Sequence, residues 1–130
     1  MRRSAAVLAA TGLLAGVVAG CSGSEEKYCE TVKSVGQSEL MEKLDYADKK
    51  AVDEAESRVE EIVNSAPDEI REDWELVQQG IRVSGKLIQG AAAEDEKVRS
   101  GVKTLERVAK SSSAVSKDVK DRCNYEIAPF

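Results

Sequence analysis

The chain has no histidine. That absence removes the general base of Ser–His–Asp and Cys–His catalysis, the His ligands of the usual zinc sites and of haem, and the Glu-x-x-His pairs of di-iron bundles. Aromatic residues are scarce, with one Trp, three Tyr and one Phe among 130 residues. The core must then be mostly Val, Ala, Ile and Leu, which suits narrow helix–helix seams and not a deep pocket for a large flat ligand. No Cys-x-x-Cys occurs, so thioredoxin-type redox chemistry has no motif to work through. Gly80, Gly85 and Gly90 fit neither glycine-rich phosphate fingerprint. The acid clusters Glu60-Glu61, Asp68-Glu69 with Glu72-Asp73, and Glu94-Asp95-Glu96 lack the loop pattern of an EF-hand. Acids at a helix start are expected from the helix dipole alone. No alternating strand pattern and no internal repeat is visible. No catalytic residue, metal ligand or cofactor site is expected.

What is present begins with an address. Arg2 and Arg3 form a positive start, and Ala5 to Val18 is apolar except for Thr11 and two glycines. This is the layout of a secretory signal. The competing reading, an uncleaved membrane anchor, needs roughly 20 apolar residues, and this run is shorter and rich in Gly and Ala. Arg2-Arg3 is followed by Ser4-Ala5, which does not build the fuller twin-arginine motif.

The run ends in Val18-Ala19-Gly20-Cys21. Through this tetrapeptide, residues 1–21 resemble the lipoprotein signal family of bacteria. The resemblance implies that the thiol of Cys21 receives a diacylglyceryl group. A signal peptidase would then cut before Cys21, which becomes the mature N-terminus. One acyl chain anchors only marginally, at about 0.8 kcal/mol per buried methylene, whereas two hold firmly. The expected partner is therefore the membrane, reached through the lipid on Cys21. The expected location is the outer face of the cell membrane.

Cleavage would leave residues 21–130 as one domain. Arg2 and Arg3 leave with the signal and no acid does. Against the 24 Asp and Glu, the 19 Lys and Arg fall to 17, and the net charge moves from −5 to −7. An acidic domain repels phosphate backbones, so nucleic-acid binding is not expected. The charges read as mixed along the chain, as on a solvated helical surface. With Cys21 assigned to lipid, Cys29 and Cys123 remain. An exported protein meets oxidising conditions, so a Cys29–Cys123 bridge is expected. The alternatives are two unpaired thiols or an intermolecular bridge.

Four helices are expected. Ser22-Gly23-Ser24 reads as a short polar tether. A first helix starts near Glu25 and presents Tyr28, Val32 and Val35. Residues 37–47 are ambiguous, with Leu40 and Leu44 hinting at a helical turn. A second helix starts from Asp48 as N-cap and buries Val52, Ala55, Val59, Ile62 and Ala66. Pro67 opens a third, which carries Ile70, Trp74, Val77, Ile81, Ser84 and Ile88. Its match to this seam marks Trp74 as core. Gly80, Gly85 and Gly90 lower helix propensity by up to about 1 kcal/mol each; we read them as tolerated rather than as contact points. A fourth helix from Asp95 carries Val98, Val102, Leu105, Ala109, Ser112, Val115, Val119 and Cys123, with a kink or restart open at Ser111-Ser112-Ser113.

Cys29 opens the first helix and Cys123 closes the last. In an up-and-down bundle those ends meet only if the helix number is even, and four satisfies this. The expectation is an all-α, up-and-down four-helix bundle. Residues 1–20 are the signal, 21–25 the lipidated Cys and tether, 26–123 the bundle and 124–130 a tail.

The signal, the early Cys29, the turn Ala66-Pro67-Asp68-Glu69-Ile70 leading to Asp73-Trp74, and the late Cys123 are similar to small secreted helical lipoproteins of actinobacteria. That resemblance implies a fold and a location but no activity. The expected role is a non-enzymatic interaction or structural module, with an envelope protein close to the bilayer as a possible partner. The alternative is a small-molecule or lipid-binding protein whose cleft would be left by Gly80, Ser84 and Gly101. Met41, Leu44 and Tyr46 would either cap the core or form a contact patch far from the membrane.

Overall fold

In the computed structural model, which describes residues 22–90 and 95–127, five helices follow one another along the chain. They are α1 (Ser22–Gly36), α2 (Glu39–Glu42), α3 (Lys49–Ser65), α4 (Asp68–Ile88) and α5 (Asp95–Cys123). No strand occurs among the described residues. The signal at 1–20, Cys21 and the end of the tail at 128–130 lie outside the described residues.

Local chemistry sets most of the helix ends. The Asp48 carboxylate accepts from the backbone N–H of Lys50 and Ala51, capping α3. Ser38 caps α2 by accepting from Met41 N, while its hydroxyl donates to Val35 O. The α2 turn thus settles the ambiguous stretch 37–47 as one helical turn followed by a loop. Pro67 stands as the N-cap of α4 rather than as its first helical residue. Its carbonyl accepts from Ile70 and Arg71, and Arg71 reaches back to Ala66 O at 2.8 Å. Asn124 ends α5 with φ 49°, donating to Lys120 O. Asn tolerates this left-handed position, which closes helices.

Several boundaries differ from expectation. Helix α1 starts at Ser22, so the polar Ser22-Gly23-Ser24 stretch is its first turn. Ser and a single Gly lower helix propensity without forbidding a helix. Helix α5 runs unbroken through Ser111-Ser112-Ser113. Ser111 and Ser112 are buried, and the Ser113 hydroxyl donates to Ala109 O at 3.3 Å. Of residues 124–127, Tyr125 and Ile127 pack against the core.

The four long helices close a ring of contacts in chain order: α1 on α3, α3 on α4, α4 on α5, and α5 back on α1. The core between them is Tyr28, Val32 and Val35 of α1, Val52, Ala55, Val59 and Ile62 of α3, Ile70, Trp74, Val77 and Ile81 of α4, and Val115, Val119 and Cys123 of α5. The α3 and α4 seams match the sequence periodicity until Ile88, which is 57% exposed at the last residue of α4.

In the first half of α5 the seam sits one residue earlier than expected at two places: Gly101 and Val108 are buried, while Val102 and Ala109 are exposed. From Ser112 onward the expected positions are buried, with Ser111 beside them. Both registers step by three and four, and a hydrophobic pattern favours the valine over the glycine. Gly101 wins because a Cβ there would lie only 3.3 Å from Val83 of α4.

Gly80 and Gly85 of α4 are contact points, which corrects the reading of them as merely tolerated, whereas Gly90, past the end of α4, has nothing within 4 Å of a would-be Cβ. A Cβ on Gly80 would fall 2.6 Å from Val108 Cγ1 of α5. One on Gly85 would fall 2.9 Å from Val52 Cγ1 of α3. The bare backbone at both positions lets a valine of the neighbouring helix sit where a side chain would be.

Candidate functional site

Tyr28 and Cys29 are neighbours on α1, and Asp118 and Arg122 lie one turn apart on α5 with Cys123 next to Arg122. Where these stretches meet, the two cysteines form a disulfide with Cα atoms 5.3 Å apart. Its partners lie 94 positions apart in the chain. The expected pairing is therefore present, and the third cysteine, Cys21, lies outside the described residues.

Beside the disulfide runs a chain of polar contacts. Trp74 Nε1 donates to Tyr28 Oη at 2.8 Å, and Tyr28 Oη donates to Asp118 Oδ2 at 3.0 Å. Arg122 Nε donates to Asp118 Oδ1 at 3.2 Å, and its Nη1 lies 3.5 Å from Glu25 Oε2. The chain starts at a fully buried indole and ends at a half-exposed ion pair. It ties α4, α1 and α5 together.

Burial pushes the Tyr28 phenol far above its ordinary value. The indole N–H opposes this, and the Asp118 charge and hydrogen bond reinforce it. The phenol is thus a fixed neutral donor at physiological pH. Burial lowers the affinity of the Arg122 guanidinium for its proton, but the Asp118 bond and the charges of Asp118, Glu25 and Glu69 outweigh this and hold it above its ordinary value. The charged Arg122, the Asp118 carboxylate and the neutral Tyr28 phenol thus form one continuous hydrogen-bonded chain. The arrangement orients and fastens helices.

Crevices open on the surface at several places. One, about 530 Å³, lies where α1 begins, α3 meets α4 and α5 ends, and is edged by Glu25, Lys27, Asp68, Glu69, Arg71 and Arg122. Its lining mixes both signs of charge. A second, about 250 Å³, lies between α3 and α4 beside the ion pair of Arg82 with Glu56. A third, about 120 Å³, is lined by Tyr46, Val77, Gly80, Ser84, Leu105 and Val108. Gly80 and Ser84 do line this crevice, yet its volume is well below the roughly 300 Å³ at which small-molecule pockets begin. Gly80 leaves little space because Val108 occupies it, and Val83 with Leu87 does the same at Gly101.

Leu40, Met41, Leu44 and Tyr46 are half-buried and pack on the core. Burial raises the Tyr46 phenol above its ordinary value. Among the described residues, no group of three or more His, Cys, Asp or Glu side chains could hold a metal ion. Nor is any helix there long and apolar enough to cross a membrane.

No protein-family model, no curated protein and no solved structure matches this chain.

The sequence did not single out the Trp74–Tyr28–Asp118–Arg122 chain. Tyr28 carried only an apolar signal there, and Asp118, 90 positions away, carried none.

Proposed function

We propose that this is a lipid-anchored protein of the outer face of the cell membrane, whose helical domain is a non-enzymatic interaction or structural module. The observation that carries the reading is Val18-Ala19-Gly20-Cys21 at the end of an apolar, positively headed segment. The Cys29–Cys123 disulfide supports it, since such bonds persist in oxidising compartments. Similarity to small actinobacterial lipoproteins belongs to the same proposal.

The four long helices are read as an up-and-down bundle. Gly80 meets Val108 while Val83 and Leu87 meet Gly101, so α4 and α5 run in opposite order. Gly85 lies by Val52 and Gln78 donates to Glu56 O, so α3 and α4 do too. Glu25 pairs with Arg122 and Tyr28 with Asp118, giving α1 and α5 the same relation. Ser22, the residue after Cys21, is already helical, so the domain would work beside the bilayer. The ligand-binding cleft expected at Gly80 and Ser84 has less support, because the crevice there measures only about 120 Å³.

Metabolic labelling with a fatty-acid probe tests the reading. The wild type should carry the label and appear as the cut form. Cys21→Ser should lose the label and remain uncut. Unchanged labelling in the variant overturns the anchor. Crosslinking in native membranes with mass spectrometry would then identify a protein neighbour.

A further inference from the structure

We propose that the solvent face of α5 is a docking surface for the anionic headgroups of a lipid bilayer, so that the domain lies on its side against the membrane. The proposal rests on the membrane-anchor reading for the nearness of a bilayer, and on the charge distribution of α5 for the face that meets it.

Charge is segregated in this molecule, although along the sequence it reads as mixed. Between residues 99 and 117 stand Arg99, Lys103, Arg107, Lys110 and Lys117, with Glu106 the lone acid. The 17 basic and 24 acidic residues of chain 21–130 then leave 12 and 23 outside this stretch, so the rest of the domain is acidic; on α5 itself the exposed Glu96 and Asp121 close the two ends of the line. The five cations are spread over several turns and form no run in the sequence. On a helix advancing about 100° per residue they fall within a sector of about 80°, in a line about 27 Å long.

That line lies opposite the face α5 buries. Val108, Val115 and Val119 point into the domain, and all five cations are exposed. Among the described residues, Arg99, Lys103, Arg107 and Lys110 make no ion pair, and Lys117 pairs only with Asp121 on its own helix. Exposed acids elsewhere are partly matched, as Asp53 is by Lys49 and Glu61 by Arg58. Among the described residues, Lys27, Lys33, Lys50 and Lys86 are likewise exposed and unpaired but stand apart on the other helices, so the α5 line is the place where four unpaired cations share one helix face. Glu106 borders this line, and Val102, 49% exposed, lies beside it.

A straight cationic edge fits a plane of negative charge better than a concave site. Screening over about 8 Å at physiological salt hides the acidic remainder of the domain from a surface that touches this edge. The anchor is compatible with this pose. Glu25 pairs with Arg122, so the start of α1, next to Cys21, lies at the end of the domain where α5 finishes. Docking along α5 would bring the far end of the domain down to the bilayer as well.

The test uses the intact membrane form of the protein, reconstituted into vesicles of phosphatidylglycerol or of phosphatidylcholine and treated with an amine-reactive reagent read by mass spectrometry. Lys103 and Lys110 should be modified several-fold more slowly on phosphatidylglycerol, and salt should remove the difference. Lys49 and Lys50 on α3 should react alike on both. Each cation near an anionic surface shifts the docked equilibrium about five-fold, so Arg99→Gln with Arg107→Gln should weaken docking about 25-fold and release Lys103 and Lys110. Both arginines are exposed, so the variant should melt as the wild type does. Equal modification of Lys103 and Lys110 in the two lipids overturns the proposal. So does protection that survives the double substitution, or equal protection of Lys49 and Lys50. Protection seen in native membranes but not on pure lipid also overturns it and assigns the edge to an acidic protein. Failure of the anchor is read separately, as loss of the fatty-acid label on Cys21.

Discussion

Tyr28 Oη accepts a hydrogen bond from Trp74 Nε1 at 2.8 Å and passes one on to Asp118. Both rings are fully buried, so this pair stitches α1 to α4 at the centre of the core. Tyr28→Phe keeps the ring and removes the oxygen. The indole N–H and the Asp118 carboxylate each lose a partner, which should cost about 1–3 kcal/mol. Chemical denaturation of the two proteins measures it. An unchanged midpoint would mean that the hydroxyl contributes nothing beyond its ring.

The same residue governs stability at high pH. The folded state holds the Tyr28 proton well above the ordinary phenol value of 10.0. A group whose folded value is raised contributes stability that is fully present below its unfolded value and is lost as pH rises beyond it. Stability should therefore be indifferent to Tyr28 from neutrality to about pH 10 and fall above that. Melting curves across this range should show a shallower alkaline decline in Tyr28→Phe than in wild type. Parallel declines would assign the effect to other groups.

The Cys29–Cys123 bridge closes a loop of 94 positions. In the chain-entropy account a loop of that length contributes at most about 4–5 kcal/mol. For a domain of this size that corresponds to a melting temperature up to about 20 °C lower on reduction. Non-reducing mass spectrometry should find the peptides of Cys29 and Cys123 joined. Two free thiols in the purified protein would remove the bridge and this expectation together.

Gly80 should not tolerate alanine. The added methyl would lie 2.6 Å from Val108 Cγ1, forcing α4 and α5 apart. Overpacking of this kind costs about 1–3 kcal/mol, against a gain of at most about 1 kcal/mol in helix propensity. Val108→Ala makes room, so the double variant should recover much of the loss. A double-mutant cycle read by thermal melting tests the coupling. Purely additive effects would mean that the two helices part without strain.

These residues also mark how far the sequence could be read. Asp48, the α3 stripe and the α4 stripe through Ile81 were legible because cap and periodicity act within one helix. The cysteine pairing was legible by elimination. The Gly80 and Gly101 contacts were not, because a glycine carries no hydrophobic signal and its role depends on which valine faces it. Nor was the docking of Tyr125 beside Gly36, where a Cβ would lie 3.3 Å from the phenol oxygen. Such contacts join elements distant in the chain, and local pattern is silent about them.

Met41 and Tyr46 follow from this distinction. Sequence left them as either a cap on the core or a contact patch, since an apolar side chain in a loop fits both. In the structure both are half-buried and pack on the core, and Tyr46 also lines the crevice with Gly80 and Val108. Gln89 donates to Tyr46 O at 3.0 Å, tying this loop to the end of α4. Met41→Ser with Tyr46→Ser should therefore lower stability by about 1–3 kcal/mol, somewhat less than full burial of two such side chains would give. Thermal melting should show it directly. A double variant that melts as the wild type does, but loses crosslinked neighbours in native membranes, would return the pair to the role of a contact patch.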